Sequence, residues 1–178
     1  RGKIPIRSEA NAWVPVPGWT GDHEWAGTIP FEEMPRIRNP ETGYIVTANN
    51  RIIGDDYPHY IGLFFSADFR ARRITERLKK MTAATVSDMQ SVHADRISIP
   101  SHAYISLLSH IRPTGKLTLK AKEMLMQWDG AMERDSAEAA IYSEMRLNLD
   151  RPILRHLLGP LFDEAEKATG RGAPFHVG

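Results

Sequence analysis

The chain has 178 residues, 42% of them hydrophobic and 25% charged, with a formal net charge of +1; this is the range of a globular domain with a real core, not of a disordered segment. Positive and negative residues are interspersed, so no basic stripe argues for nucleic acid and no acidic tail for a solvating segment. Cysteine is absent, which excludes disulfides, thiolate metal sites and a cysteine nucleophile.

Arg1-Gly2-Lys3-Ile4-Pro5-Ile6-Arg7 has no initiator Met and begins inside what reads as a strand or extended segment. The chain is therefore expected to be an excised or processed piece of something larger. Residues 1–58 hold many of the prolines and glycines and three of the four tryptophans, in runs such as Pro15-Val16-Pro17-Gly18-Trp19 and Ile29-Pro30-Phe31. Prolines at this density remove backbone donors and forbid a long helix, so extended segments and turns are predicted. The best strand is Gly43 to Ala48, rich in β-favouring Tyr44, Ile45, Val46 and Thr47 and preceded by a turn at Asn39-Pro40-Glu41-Thr42-Gly43. One or two sheet strands are expected here, with their partner strands elsewhere.

After Pro58 the spacing turns helical. Ile61, Phe64, Phe65, Phe69, Ile74, Leu78 and Met81 fall near one face. Thr85 is the expected cap of a next helix, with Asp88 in its first turn. Pro100-Ser101 precedes a helix carrying Tyr104, Leu107, Leu108 and Ile111, stopped by Pro113. Leu117, Ala121, Met124, Leu125 and Trp128 form a stripe on a helix ended by Asp129-Gly130. Ser136 caps a segment with Ala137, Ala140, Ile141 and Met145 on one face, and Pro152 opens a last helix through Ala168, bent near Gly159-Pro160. Gly170 to Pro174 reads as loop. The fold class is α+β: five or six helices after a short β or extended part, divided as 1–58 and 59–178 within one structural unit. No apolar run approaches the roughly 20 residues that a bilayer needs, so no membrane partner is expected.

The seven histidines (23, 59, 93, 102, 110, 156 and 176) do not make a zinc set. His102 and His110 could share a helix face, but no third ligand is spaced to join them. Asp22-His23-Glu24 reads as a hydrogen-bonded turn beside packed Trp19 and Trp25 in preference to a general base. Ser8, Ser66, Ser98 and Ser101 lack the Gly-x-Ser-x-Gly setting of a nucleophile elbow. Arg70-Ala71-Arg72-Arg73 is either solvated charge or a fork that hydrogen-bonds polar groups of a site, with Arg70 and Arg73 on one face. Asn49-Asn50 directly follows the predicted strand. An amide there is ordinary turn chemistry, and it is also the hardware of an oxyanion hole, which needs donors fixed before charge develops.

Longer blocks choose between these alternatives. Pro15-Val16-Pro17-Gly18-Trp19, then Glu24-Trp25-x-Gly27-x-Ile29-Pro30-Phe31-Glu32-Glu33-x-Pro35, then Asn39-Pro40-x-x-Gly43-Tyr44-Ile45-Val46-Thr47-Ala48-Asn49-Asn50 closely resemble the penicillin amidase family. Tyr57-Pro58, Arg70-Ala71-Arg72-Arg73-Ile74 and Trp128-Asp129-Gly130 follow in the order that family shows. The resemblance implies a fragment of the large subunit of a secreted N-terminal-nucleophile amidohydrolase with a four-layer αββα fold and a helical lobe. Such an enzyme matures from a self-cleaving precursor and removes acyl groups from β-lactams, homoserine lactones or related N-acyl compounds. It implies that Asn49 donates to the tetrahedral oxyanion and that Arg73 belongs to the hydrogen-bond network of the site. The implied partners are the small subunit, the remaining large-subunit segments and a small N-acyl substrate.

Two features depart from the family. Nothing in the chain matches the catalytic serine or the second oxyanion donor, so the chain alone is expected to be inactive. Where some members carry a calcium-binding aspartate after Tyr-Pro, this sequence reads His59-Tyr60-Ile61; no cofactor is expected in this fragment, and calcium is left open for the complete enzyme. A helical binding module, or a degenerate homologue that binds acyl compounds without cleaving them, is the competing reading.

Overall fold

Regular structure in the computed structural model, which describes residues 3–7, 14–62 and 64–169, consists of six α-helices and a single 3-10 turn at Phe31–Glu33. Strand pairing among the described residues is limited to two isolated antiparallel bridges, Pro5 with Thr28 and Ile97 with Ala131. The chain is thus mostly helical with a short extended N-terminal part. It separates into two units, Arg1–Thr82 and Ala83–Gly178. No helix is long and apolar enough to cross a membrane among the described residues.

In the first unit, residues 4–6 run against 26–29. Ile6 N–H donates to Gly27 O at 3.0 Å, Ala26 N–H to Ile6 O at 3.0 Å and Ile29 N–H to Ile4 O at 2.9 Å. Pro5 has no N–H to extend that ladder, and Ile29 is the side chain it buries. The turn before residue 44 forms as its residues dictate: Asn39 and Gly43 both take positive φ, and Gly43 N–H closes on Pro40 O at 2.9 Å.

The strand expected at 43–48 is not formed. Residues 44–47 carry no ladder, and Ile45 is exposed. β-Favouring side chains fit a pleated sheet but cannot make one without a neighbouring strand. Nor does helix extend through the Phe64 and Phe65 region. It starts only at α1 (Phe69–Leu78), with Asp68 as cap residue. Pro58 and Gly62 disfavour helix before it, and the Ser66 N–H is committed instead to Asn49 O at 2.8 Å. The Asp22-His23-Glu24 stretch lies in a turn region, entered through a hydrogen-bonded turn just before it, where Thr20 N–H donates to Pro17 O at 3.4 Å and Asp22 N–H to Thr20 Oγ1 at 3.3 Å. Its tryptophans are not packed, however: Trp19 is 88% and Trp25 69% exposed.

The second unit holds α2 (Val86–His93), α3 (Ile99–Ser109), α4 (Lys116–Gln127), α5 (Ala137–Leu158) and α6 (Leu161–Thr169). Caps set their starts. Thr85 and Asp88 form a reciprocal capping box on α2, while Ser98 and Ser136 accept from the third residue of α3 and α5. Successive helices α3, α4, α5 and α6 pack on one another, and Leu125, Ala139, Tyr142 and Phe162 form the buried core. The Tyr142 ring lies edge-on to Tyr104 with centroids 5.7 Å apart and tilted against Trp128 at 5.4 Å.

Pro152 does not open a helix; it lies inside α5, and the break comes at Gly159, where φ is 54°. A proline within a helix withholds its own donor and crowds the carbonyl four residues back; the residues flanking Pro152 make contacts to α6 on both sides of it. Arg151 pairs with Glu166, and Arg155 pairs with Asp163 while stacking its guanidinium 4.8 Å from the ring centre of buried Phe162. The loop reading of Gly170 to Pro174, like Ser8 and His176, lies outside the described residues.

Candidate functional site

Asn49 sits in the left-handed region at φ 60°, a conformation few residues other than glycine adopt and asparagine tolerates best. Three groups hold it there. Its own carbonyl accepts from Ser66 N–H at 2.8 Å. The Asn50 side-chain oxygen accepts from Ala48 N–H at 3.0 Å, closing the turn around it. Arg70, on the first turn of α1, donates from Nη2 to Ala48 O at 2.6 Å and to Asn49 Oδ1 at 2.9 Å.

The last contact settles which way the amide faces. A guanidinium has donors only, so the atom of the Asn49 amide that meets it must be the oxygen. The NH2 group is thereby turned away from Arg70, and it has no hydrogen-bond partner among the described residues. An exposed amide donor with its carbonyl end anchored and its backbone clamped can serve a developing negative charge without prior rearrangement.

Arg73 lies one turn after Arg70 on the same face of α1, and its Nη1 meets Glu76 Oε2 at 3.5 Å. The guanidinium that reaches Asn49 is therefore Arg70's. The spacing of the arginine run had already put Arg70 and Arg73 on a common face, but spacing alone cannot tell which of two such residues meets a loop 21 residues upstream in sequence. Asn50 is the other participant that sequence reasoning left without a role; its signal was only its place beside Asn49.

The serines present have structural roles. Ser101 is fully buried and donates to Ser98 O at 2.7 Å, and Ser98 caps α3. Ser66 contributes its backbone to Asn49. Among the described residues no three His, Asp or Glu side chains gather as a metal ion requires. At the stretch where a calcium-binding aspartate would stand, His59 Nε2 meets Glu33 Oε2 at 2.5 Å, with Tyr57 OH donating to Glu33 O at 3.1 Å. These residues do not fit a calcium site.

The family model described as penicillin amidase matches residues 1–176. A penicillin acylase 2 proenzyme of Pseudomonas sp. (strain SE83) is 41% identical over 154 residues, covering 86% of this chain and 20% of that protein. An acyl-homoserine lactone acylase QuiP of Pseudomonas fluorescens (strain Pf0-1) is 29% identical over 184 residues, 94% of this chain and 22% of the relative. A penicillin G acylase of Escherichia coli is 34% identical over 128 residues, 66% of this chain and 14% of the relative. The chain thus spans about a fifth of the length of the first two relatives.

Proposed function

Because this chain belongs to the penicillin amidase family, we propose that it is part of an amidohydrolase that cleaves N-acylated substrates through an acyl-enzyme, with Asn49 as an oxyanion donor. The substrates are penicillin-type β-lactams, acyl-homoserine lactones or related linear amides. This range follows its relatives, a penicillin acylase and an acyl-homoserine lactone acylase. The single observation that carries the residue assignment is the anchored amide: Asn49 Oδ1 is held by Arg70 while its NH2 is left to donate.

In this reading a serine at the processed N-terminus of the large subunit attacks the substrate carbonyl, its own α-amino group taking the proton. Negative charge then grows on the carbonyl oxygen. The Asn49 N–H, already fixed in direction, meets that charge more strongly than it meets the neutral ground state, and this difference is what lowers the barrier. Arg70 does not touch the substrate in this scheme; it holds the amide that does. Arg73, one turn further along α1 and paired with Glu76, belongs in this reading to the hydrogen-bond network around the site. The serine belongs to other segments of the precursor, so this chain alone performs no acyl transfer. Those segments also cover the aromatic surface that Trp19, Trp25 and Phe64 leave exposed. The complete enzyme acts in the periplasm or outside the cell.

The test is Asn49→Ala in the complete enzyme. Removing one oxyanion donor lowers turnover by roughly 100- to 1000-fold. Turnover close to that of the unaltered enzyme would remove Asn49 from the chemistry.

A further inference from the structure

We propose that Asn50 is a positioning residue for the acyl-transfer step, acting through Asn49. The inference rests on the oxyanion role proposed for Asn49 and deepens it. Asn50 is half-buried and uses both ends of its amide locally: Oδ1 accepts from Ala48 N–H at 3.0 Å, and Nδ2 donates to Arg51 O at 3.1 Å. The first bond reaches backward across residue 49 and ties position 50 to position 48. Between those two anchored points the backbone has little choice, and Asn49 takes φ 60°.

The direction of the Asn49 side chain follows from that backbone setting. A Cα in the left-handed region projects its Cβ differently from one in the extended region that precedes it. If the 48–50 closure were lost, Asn49 could relax toward an extended conformation and carry its amide away from Arg70. Arg70 anchors the Asn49 amide oxygen and the Ala48 carbonyl, and Ser66 the Asn49 carbonyl. Asn50 adds a hold one peptide earlier, on the Ala48 N–H, and so closes the turn from the side that Arg70 and Ser66 do not reach. The second asparagine is thus a side-chain clamp on the turn, with no contact to substrate.

The experiment compares four variants of the complete enzyme by steady-state kinetics on an N-acyl substrate: Asn49→Ala, Asn50→Ala, Asn50→Gln and Asn50→Asp. Asn50→Ala removes the clamp, and kcat falls by roughly tenfold to 100-fold, the scale of a misplaced catalytic group, while KM stays near its original value. Asn50→Asp keeps the oxygen that accepts from Ala48 N–H but loses the donor to Arg51 O, so it recovers part of the kcat lost in Asn50→Ala. Asn50→Gln carries the same groups one methylene further out and loses kcat as Ala does; it keeps the question answerable if the Ala variant does not fold. Unchanged kcat in Ala or Gln, a parallel rise in KM, or failure of Asp to recover turnover overturns the assignment of Asn50 while leaving Asn49 in place. Normal turnover in Asn49→Ala instead overturns the oxyanion reading on which it rests.

Discussion

Arg70 Nη2 lies 2.9 Å from Asn49 Oδ1 and 2.6 Å from the carbonyl oxygen of Ala48, so one nitrogen joins the first turn of α1 to both the side chain of residue 49 and the peptide before it. A planar guanidinium presents its donors in fixed directions, whereas a lysine ammonium is a rotatable point charge on a flexible stem.

Arg70→Met in the complete enzyme therefore lowers kcat by about tenfold or more, the scale of a misplaced catalytic group. Arg70→Lys restores only part of the loss. Steady-state kinetics on the two variants checks this, and full activity in Arg70→Lys would mean that direction is unimportant and only charge is used.

The left-handed setting of Asn49 separates chemistry from backbone strain. Alanine at φ 60° is disfavoured by roughly 1–2 kcal/mol, a cost glycine escapes. Asn49→Gly is thus expected to be about 1 kcal/mol more stable than Asn49→Ala, while both lose turnover equally. Denaturant unfolding together with kinetics on both variants tests this. Equal stability would show that the backbone relaxes when the asparagine is removed.

Several local features were legible before the structure. The turn at 39–43 and the caps at Thr85 and Ser136 are set by bonds within three residues. The Thr85, Ser136 and turn positions were read correctly, while α3 begins at Ile99 with Ser98 as its cap, slightly before the Pro100-Ser101 start expected. What sequence could not supply was long-range. The strand at 43–48 needs a neighbour that the described residues do not provide. The choice between Arg70 and Arg73 depends on where a loop crosses α1. Pro152 lies inside α5, beside Arg151 and Arg155, which pair with Glu166 and Asp163 of α6. Periodicity reports which faces are apolar but not what is packed against them.

Gly130 shows a local rule with a tertiary reason. Its φ is 85°, and a Cβ placed there would come within 2.9 Å of Ser101 Oγ and 3.0 Å of His102 Nε2. Ser101 is fully buried and cannot move aside freely. The Gly130 carbonyl also accepts from Ser98 N–H at 2.8 Å, joining the end of α4 to the start of α3. Gly130→Ala is expected to destabilise by at least about 1–2 kcal/mol from backbone conformation alone, with the close approach adding to it. Thermal unfolding of the complete protein measures the change; a neutral result would require α3 to shift.

Tyr142 is 2% exposed, and its OH has no hydrogen-bond partner among the described residues. A buried hydroxyl left unsatisfied costs roughly 1–3 kcal/mol, while the ring that carries it keeps its packing against Tyr104 and Trp128. Tyr142→Phe removes the first and keeps the second, so it leaves the protein as stable as before or up to about 1 kcal/mol more stable. Tyr142→Ala removes both and costs about 3–5 kcal/mol through the cavity it opens. Urea unfolding of the two variants separates ring from hydroxyl, and a loss of more than about 1 kcal/mol in Tyr142→Phe would show that the OH is bonded in the complete protein.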